Sequence, residues 1–111
     1  MLIPKPLILV ALGGALFCSG AVTAAEDNWQ KHCVSCHGSD GKGKTKMGQR
    51  LKITDLTDPA RQAEFTDDDA FRAVQQGIKD ANGKTTMKAV EGLTDEEITA
   101  LVAFVRTLAP R

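Results

Sequence analysis

Cys33-Val34-Ser35-Cys36-His37 is the stretch on which the reading of this chain turns. Cysteines at i and i+3 lie on one helical face, so both can reach the same object. Three chemistries use such a pair: a redox-active disulfide, half of a metal site, and a covalent anchor for haem with the following histidine turned to the iron. A thioredoxin-like dithiol needs βαβ context, and strand signals are nearly absent here. A zinc site needs about four ligands, and the remaining good ones, His32 and His37, are too close in sequence to close a tetrahedron comfortably. Haem attachment is therefore the favoured reading, with a structural disulfide or metal pairing as its rivals.

The flanking sequence says where such a cofactor would be handled. Lys5 is the only charge in residues 1–25, Leu7 to Phe17 forms a short apolar run, and Thr23-Ala24-Ala25 fits a small-x-small cleavage pattern. This predicts a cleaved Sec-type signal peptide over residues 1–25, cut after Ala25 or else Ala24, and a functional domain over residues 26–111. The rival is an uncleaved anchor, because Leu2 to Cys18 contains few polar residues. The run is short and glycine-broken against the roughly 20 apolar residues a span requires. Bulky Phe17 before Cys18 argues against lipid modification of that cysteine. Export places Cys33 and Cys36 in an oxidising compartment, and the expected location is the periplasm, with membrane anchoring as the alternative.

Composition sharpens the need for something extra. Of 111 residues, 47 are hydrophobic, but 17 of these lie in residues 1–25, which leaves about 35% for residues 26–111. That segment has only Trp29, Phe65, Phe71 and Phe104 as aromatics and no tyrosine. A domain this small is marginal on its own core and commonly recruits a disulfide, metal or cofactor. Its size excludes a multi-domain enzyme.

The remaining pattern is helical. Asp27-Asn28-Trp29-Gln30 resembles a capping box opening a helix that runs to about Cys36. Residues 38–48, with four glycines and no apolar periodicity, read as a loop. Asp58-Pro59 marks a short helix over 59–64, a cap followed by proline at the first position. Thr66 before Asp67, Asp68 and Asp69 caps another, with Ala70, Phe71, Val74 and Ile78 at helical spacing up to a stop at Gly77. The last helix is the clearest: Thr94 and Glu97 form a capping box, Ile98, Leu101, Val102, Val105 and Leu108 form one stripe, and Pro110 follows its end.

In this order of parts the chain resembles the class I monohaem cytochromes c over essentially all of residues 26–111. The resemblance rests on the attachment motif followed by Gly38, on Asp40-Gly41-Lys42-Gly43, on a middle helix, a late methionine, and a closing helix beginning Leu93-Thr94-Asp95-Glu96-Glu97. It implies an all-α fold with the first and last helices packed together around one haem c, bound covalently through Cys33 and Cys36. It also implies that Trp29 packs on Phe104. Met87, in the irregular stretch 82–89, matches the family's axial methionine opposite His37, a ligand pair that favours reduced iron. Met87 as a gap-filling core residue, Met47 as ligand, and a histidine or open sixth position are the other readings. His32 is expected to be a solvated surface residue.

Two departures from the family stand out. The proline carbonyl that usually accepts from the axial histidine has no counterpart in Met47-Gly48-Gln49-Arg50-Leu51, so the acceptor for His37 is unassigned. The usual tryptophan and tyrosine partners of the haem propionates are also missing, leaving Arg50, Gln49 or Asn82 as substitutes.

The formal net charge is zero, and removing Lys5 makes it −1. Six of the eight lysines of residues 26–111 (Lys42, Lys44, Lys46, Lys79, Lys84 and Lys88) fall in two loops expected near the haem. Such a ring steers an acidic partner, though loops are lysine-rich in many proteins. Nucleic-acid binding is not expected, since there is neither strong positive charge nor aromatic-basic interleaving. The expected function is single-electron transfer between redox partner proteins by a soluble monomer with no enzymatic activity. The alternatives are a haem-c subunit of a larger oxidoreductase, and a haem sensor or enzyme with a displaceable sixth ligand.

Overall fold

Chain direction reverses around one helix pair, built from the two ends of the described region. The structure is a computed structural model that describes residues 19–110; the apolar run and Cys18 lie outside the described residues. The first helix, α1, spans Ser19–His32, and α2 spans Val34–His37. Cys33 joins them: its amide donates to the Trp29 carbonyl at 2.9 Å and its carbonyl accepts from His37 at 2.9 Å. The helix therefore does not open at Asp27 as the capping-box pattern predicted. Residues 21–25 include three alanines, strong helix formers, so helix continues upstream and the amides near Asp27 need no cap. Asn28, nearly buried, instead reaches across to Glu97 at 3.5 Å.

A second correction concerns residues 38–48. Gly38, at φ +80°, ends α2, but the predicted loop closes early, because α3 spans Lys46–Leu51 and contains Met47 and Gly48. Its cap is Thr45, whose hydroxyl accepts from the Gly48 amide at 2.9 Å. Gly48 concealed this helix from the sequence; glycine is a poor helix former, and here it is required by close backbone approach.

The middle of the chain follows its caps. Helix α4 spans Pro59–Gln62, with the Asp58 carboxylate accepting from Ala60 at 2.9 Å. Helix α5 spans Asp67–Gln76 behind the Thr66/Asp69 capping box and stops at Gly77, φ +77°. The expected stripe of α5 ends there too. Ile78 starts strand β1 (Ile78–Lys79), stands 45% exposed, and pairs antiparallel with Met87 of β2 (Thr85–Met87). This small hairpin is a departure from a purely helical expectation. Asp80 makes its turn, with one carboxylate oxygen accepting from the amides of Asn82 and Lys84 at 2.9 Å each, a local Asx geometry.

The closing helix α6, Asp95–Arg106, has the Thr94/Glu97 box and packs chiefly on α1 and α5. Trp29, Cys33, Leu56, Val74, Ile98, Leu101 and Val102 form the buried cluster. Trp29 meets Phe104 with ring centroids 5.6 Å apart, the contact the resemblance implies. Val105 and Leu108 flank the cluster, and Leu108 lies over Gly41, where a Cβ would come within 2.8 Å of its side chain.

A polar clamp ties the end of α6 to residues 56–67. Arg106 donates to the Gln62 carbonyl (2.5 Å), the Gln62 side-chain oxygen (3.0 Å) and the Phe65 carbonyl (2.8 Å). Its guanidinium carbon lies 4.4 Å from the Phe65 ring centroid. Gln62, 8% exposed, donates in turn to the Leu56 and Val105 carbonyls. Hydrogen bonds to charged donors carry roughly 1.5–3 kcal/mol each, while the ion pair to exposed Asp67 adds little. Arg106→Ala is expected to cost about 2–3 kcal/mol in chemical denaturation, whereas Asp67→Ala costs less than about 1 kcal/mol. Equal losses would show that the exposed ion pair, rather than the carbonyl bonds, does the holding.

Candidate haem centre

The attachment turn is built by the junction of α1 and α2. Cys33 and Cys36 are both free thiols. Cys33 is 7% exposed, and burial, helped by the charge of Cys36, pushes its pKa up to about 11. A thiol held this way stays protonated at neutral pH. His37 follows, half-buried, with its ring centroid 5.7 Å from that of Trp29 and tilted by 37°. Burial lowers its pKa, which keeps the imidazole neutral and fit to ligate a metal. The ring buries Nδ1, which has no hydrogen-bond partner among the described residues; Trp29 Nε1 is likewise buried without one. With Nδ1 buried, Nε2 is the nitrogen that would be left to hold a metal.

Residues 43–48 form the back of the turn. The Gly43 amide donates to the His37 carbonyl at 2.7 Å, and the Thr45 hydroxyl donates to the Cys36 carbonyl at 2.6 Å. At Gly48 an added Cβ would overlap the Gly43 carbonyl oxygen and lie 2.5 Å from the Cys36 carbonyl oxygen. Helix α3 thus sits backbone to backbone on the attachment turn. Thr45 is not marked in the sequence except as a threonine three residues before a glycine, a signal masked by surrounding lysines and glycines.

Met87 reaches the same core from the far end of the chain. It is half-buried at the end of β2 and packs against the cluster that contains Cys33. Beside it is an open cleft of about 590 Å³ lined by His32, Ile78, Lys79, Met87, Lys88 and Val90 among others. His32 is exposed there, as expected. Met47 stands 42% exposed on α3. Of the candidate propionate partners, Gln49 spends its side-chain amide on the Lys44 carbonyl at 2.9 Å, and Arg50 and Asn82 are exposed. Two reduced thiols on one turn, a neutral imidazole beside them and an apolar cluster behind fit a covalently bound haem.

The family model described as Cytochrome c matches residues 22–109. The chain belongs to the cytochrome c family. Among solved structures, this cytochrome is similar to the c-type cytochrome KustC0563, with 29% identity, a TM-score of 0.66, and coverage of 78% of this chain and 98% of that one. It is also similar to a mutant of that protein, at 29% identity, a TM-score of 0.64, and coverage of 77% and 98%. No curated protein matches. Membership carries covalent haem c, electron transfer and redox partner proteins in general terms. Among the described residues, no helix of this cytochrome is long and apolar enough to cross a membrane.

Proposed function

We propose that this cytochrome c is a periplasmic single-electron carrier with one haem c joined to Cys33 and Cys36, its iron held by His37 and Met87. What supports the reading is that Met87 packs against the apolar cluster containing Cys33, on the same attachment turn that carries the half-buried His37. Met47, the other methionine near the site, faces solvent to a large extent. When bound, haem supplies an iron that cycles between ferrous and ferric. The chain's residues do the rest. Cys33 and Cys36 would anchor it, and His37 and Met87 would set its potential. No residue need act as acid, base or nucleophile, which is why the reading is a carrier and not an enzyme.

Residues 1–25 are proposed as the export signal. Cleavage after Ala25 would leave Glu26 and Asp27 in the first turn of α1, where carboxylates complement the helix dipole. It would also remove Ala25, which is 3% exposed. The lysines of residues 42–46 and 79–88 are exposed, and in this reading they steer an acidic partner toward the haem edge. Stopped-flow exchange with an acidic redox protein tests both parts. The expected result is a one-electron reaction whose rate falls steeply between low and physiological salt. A salt-independent rate would contradict the steering, and rapid carbon monoxide binding to the reduced protein would contradict a carrier with a fixed sixth ligand.

A further inference from the structure

A metal-bound histidine normally donates its second ring N–H to a carbonyl or carboxylate, and that bond fixes the ring. In this chain the His37 Nδ1 is buried and has no such acceptor among the described residues. The backbone around it, by contrast, is held on every side. The His37 amide donates to Cys33 (2.9 Å), the His37 carbonyl accepts from Gly43 (2.7 Å), and the Cys36 carbonyl accepts from the Thr45 hydroxyl (2.6 Å).

We propose that Thr45 is a positioning residue for His37, acting through the Cys36 carbonyl in place of a direct hydrogen bond to the imidazole. One hydroxyl does two things at once: it donates to Cys36 and accepts from the Gly48 amide, at 2.9 Å, which starts α3. Gly48 allows this closeness, because any Cβ there would collide with the Gly43 and Cys36 carbonyl oxygens. The peptide between Cys36 and His37 is thereby pinned to α3. Where the peptide goes, the His37 Cβ goes, and with no bond at Nδ1 the ring plane follows the backbone and the Trp29 contact. Valine at 45 keeps the shape but leaves both the Cys36 carbonyl and the Gly48 amide without their partner. Serine keeps both bonds.

The inference rests on His37 being an axial ligand, so the test reads the ligand in the haem-loaded protein. Reduction potential and the electron paramagnetic resonance g values of the ferric form, which depend on axial ring orientation, are measured for wild type, Thr45→Val and Thr45→Ser. The expected result is a displaced potential and a shifted set of low-spin g values in Thr45→Val, with both restored in Thr45→Ser. A wild type without a low-spin ferric signal would contradict the ligand reading itself. A low-spin wild type with an unmoved Thr45→Val would overturn only the role of Thr45. Should Thr45→Val fail to load haem, nuclear magnetic resonance of the wild type decides: a hydrogen-bond coupling from His37 Nδ1–H to a backbone carbonyl overturns the proposal, and its absence with a slowly exchanging Thr45 hydroxyl supports it.

Discussion

Cys33→Ala/Cys36→Ala is expected to give a chain with no covalent haem and no cooperative thermal transition. The reason lies in how little the side chains alone can bury. Among the described residues the cluster around Trp29 has seven buried members, one of them Cys33 itself, and of the large side chains only Trp29 and Leu101 are fully buried. Burial of apolar surface stabilises by about 25 cal/mol per Å², against a backbone ordering cost of roughly 1–2 kcal/mol per residue. A chain with about 35% hydrophobic residues over 26–111 has little margin in that balance. A haem joined to Cys33 and Cys36 would add a large apolar surface beside this cluster, so removing the proposed anchors is expected to remove part of the core. Circular dichroism should show most helical signal lost and a broad, featureless melt. A sharp cooperative transition in the haem-free double variant would contradict this, and would mean that the helices hold one another without the cofactor.

Met87→Ala is the second large effect. Met87 closes the core from β2 and is the proposed ligand opposite His37. Alanine deletes the thioether and opens the sixth position, so the haem is expected to become high-spin, bind carbon monoxide rapidly when reduced, and lose potential. A neutral thioether favours ferrous iron, and the expected fall is roughly 0.2 V within the ~0.8 V range that axial ligands set. Met47→Ala is the control, since Met47 is 42% exposed on α3, and its spectrum should match wild type. If the two variants behave in the reverse way, Met47 is the ligand and Met87 a packing residue.

Much of this architecture was legible from caps and stripes. Asp58, Thr66 and Thr94 begin their helices where the sequence placed them, because each cap is a local hydrogen bond that needs no distant partner. The stripe on α6 worked because its 3.6-residue period is long enough to be unambiguous. What was not legible depended on contacts across the chain. Helix α3 contains Gly48, a residue that argues against helix locally and is required only because the Cys36 and Gly43 carbonyls pass so close. The hairpin 78–87 rests on the Asp80 carboxylate accepting from the amides of Asn82 and Lys84, a turn with strands too short to show alternation. The start of α1 was misplaced because a capping-like pattern lay inside a helix that alanines extend upstream.

The site divided in the same manner. The spacing of Cys33-Val34-Ser35-Cys36-His37 narrows the chemistry to a few readings, and the Trp29–Phe104 contact is the one the family resemblance implies. The absence of the usual proline leaves the acceptor for His37 unassigned from the sequence, and in the structure Nδ1 has no partner among the described residues. The compensation through Thr45 was not visible, because it joins a side chain to a carbonyl nine residues away.

The central claim, one covalent haem c on Cys33 and Cys36 with His37 and Met87 as ligands, is tested most directly by one purification from the periplasmic fraction, followed by intact mass and absorption spectrum. The expected mass is residues 26–111 plus one haem that resists acid extraction, and the expected spectrum is six-coordinate and low-spin in both oxidation states. A mass without haem, or a haem that extracts freely or is high-spin, would contradict the account.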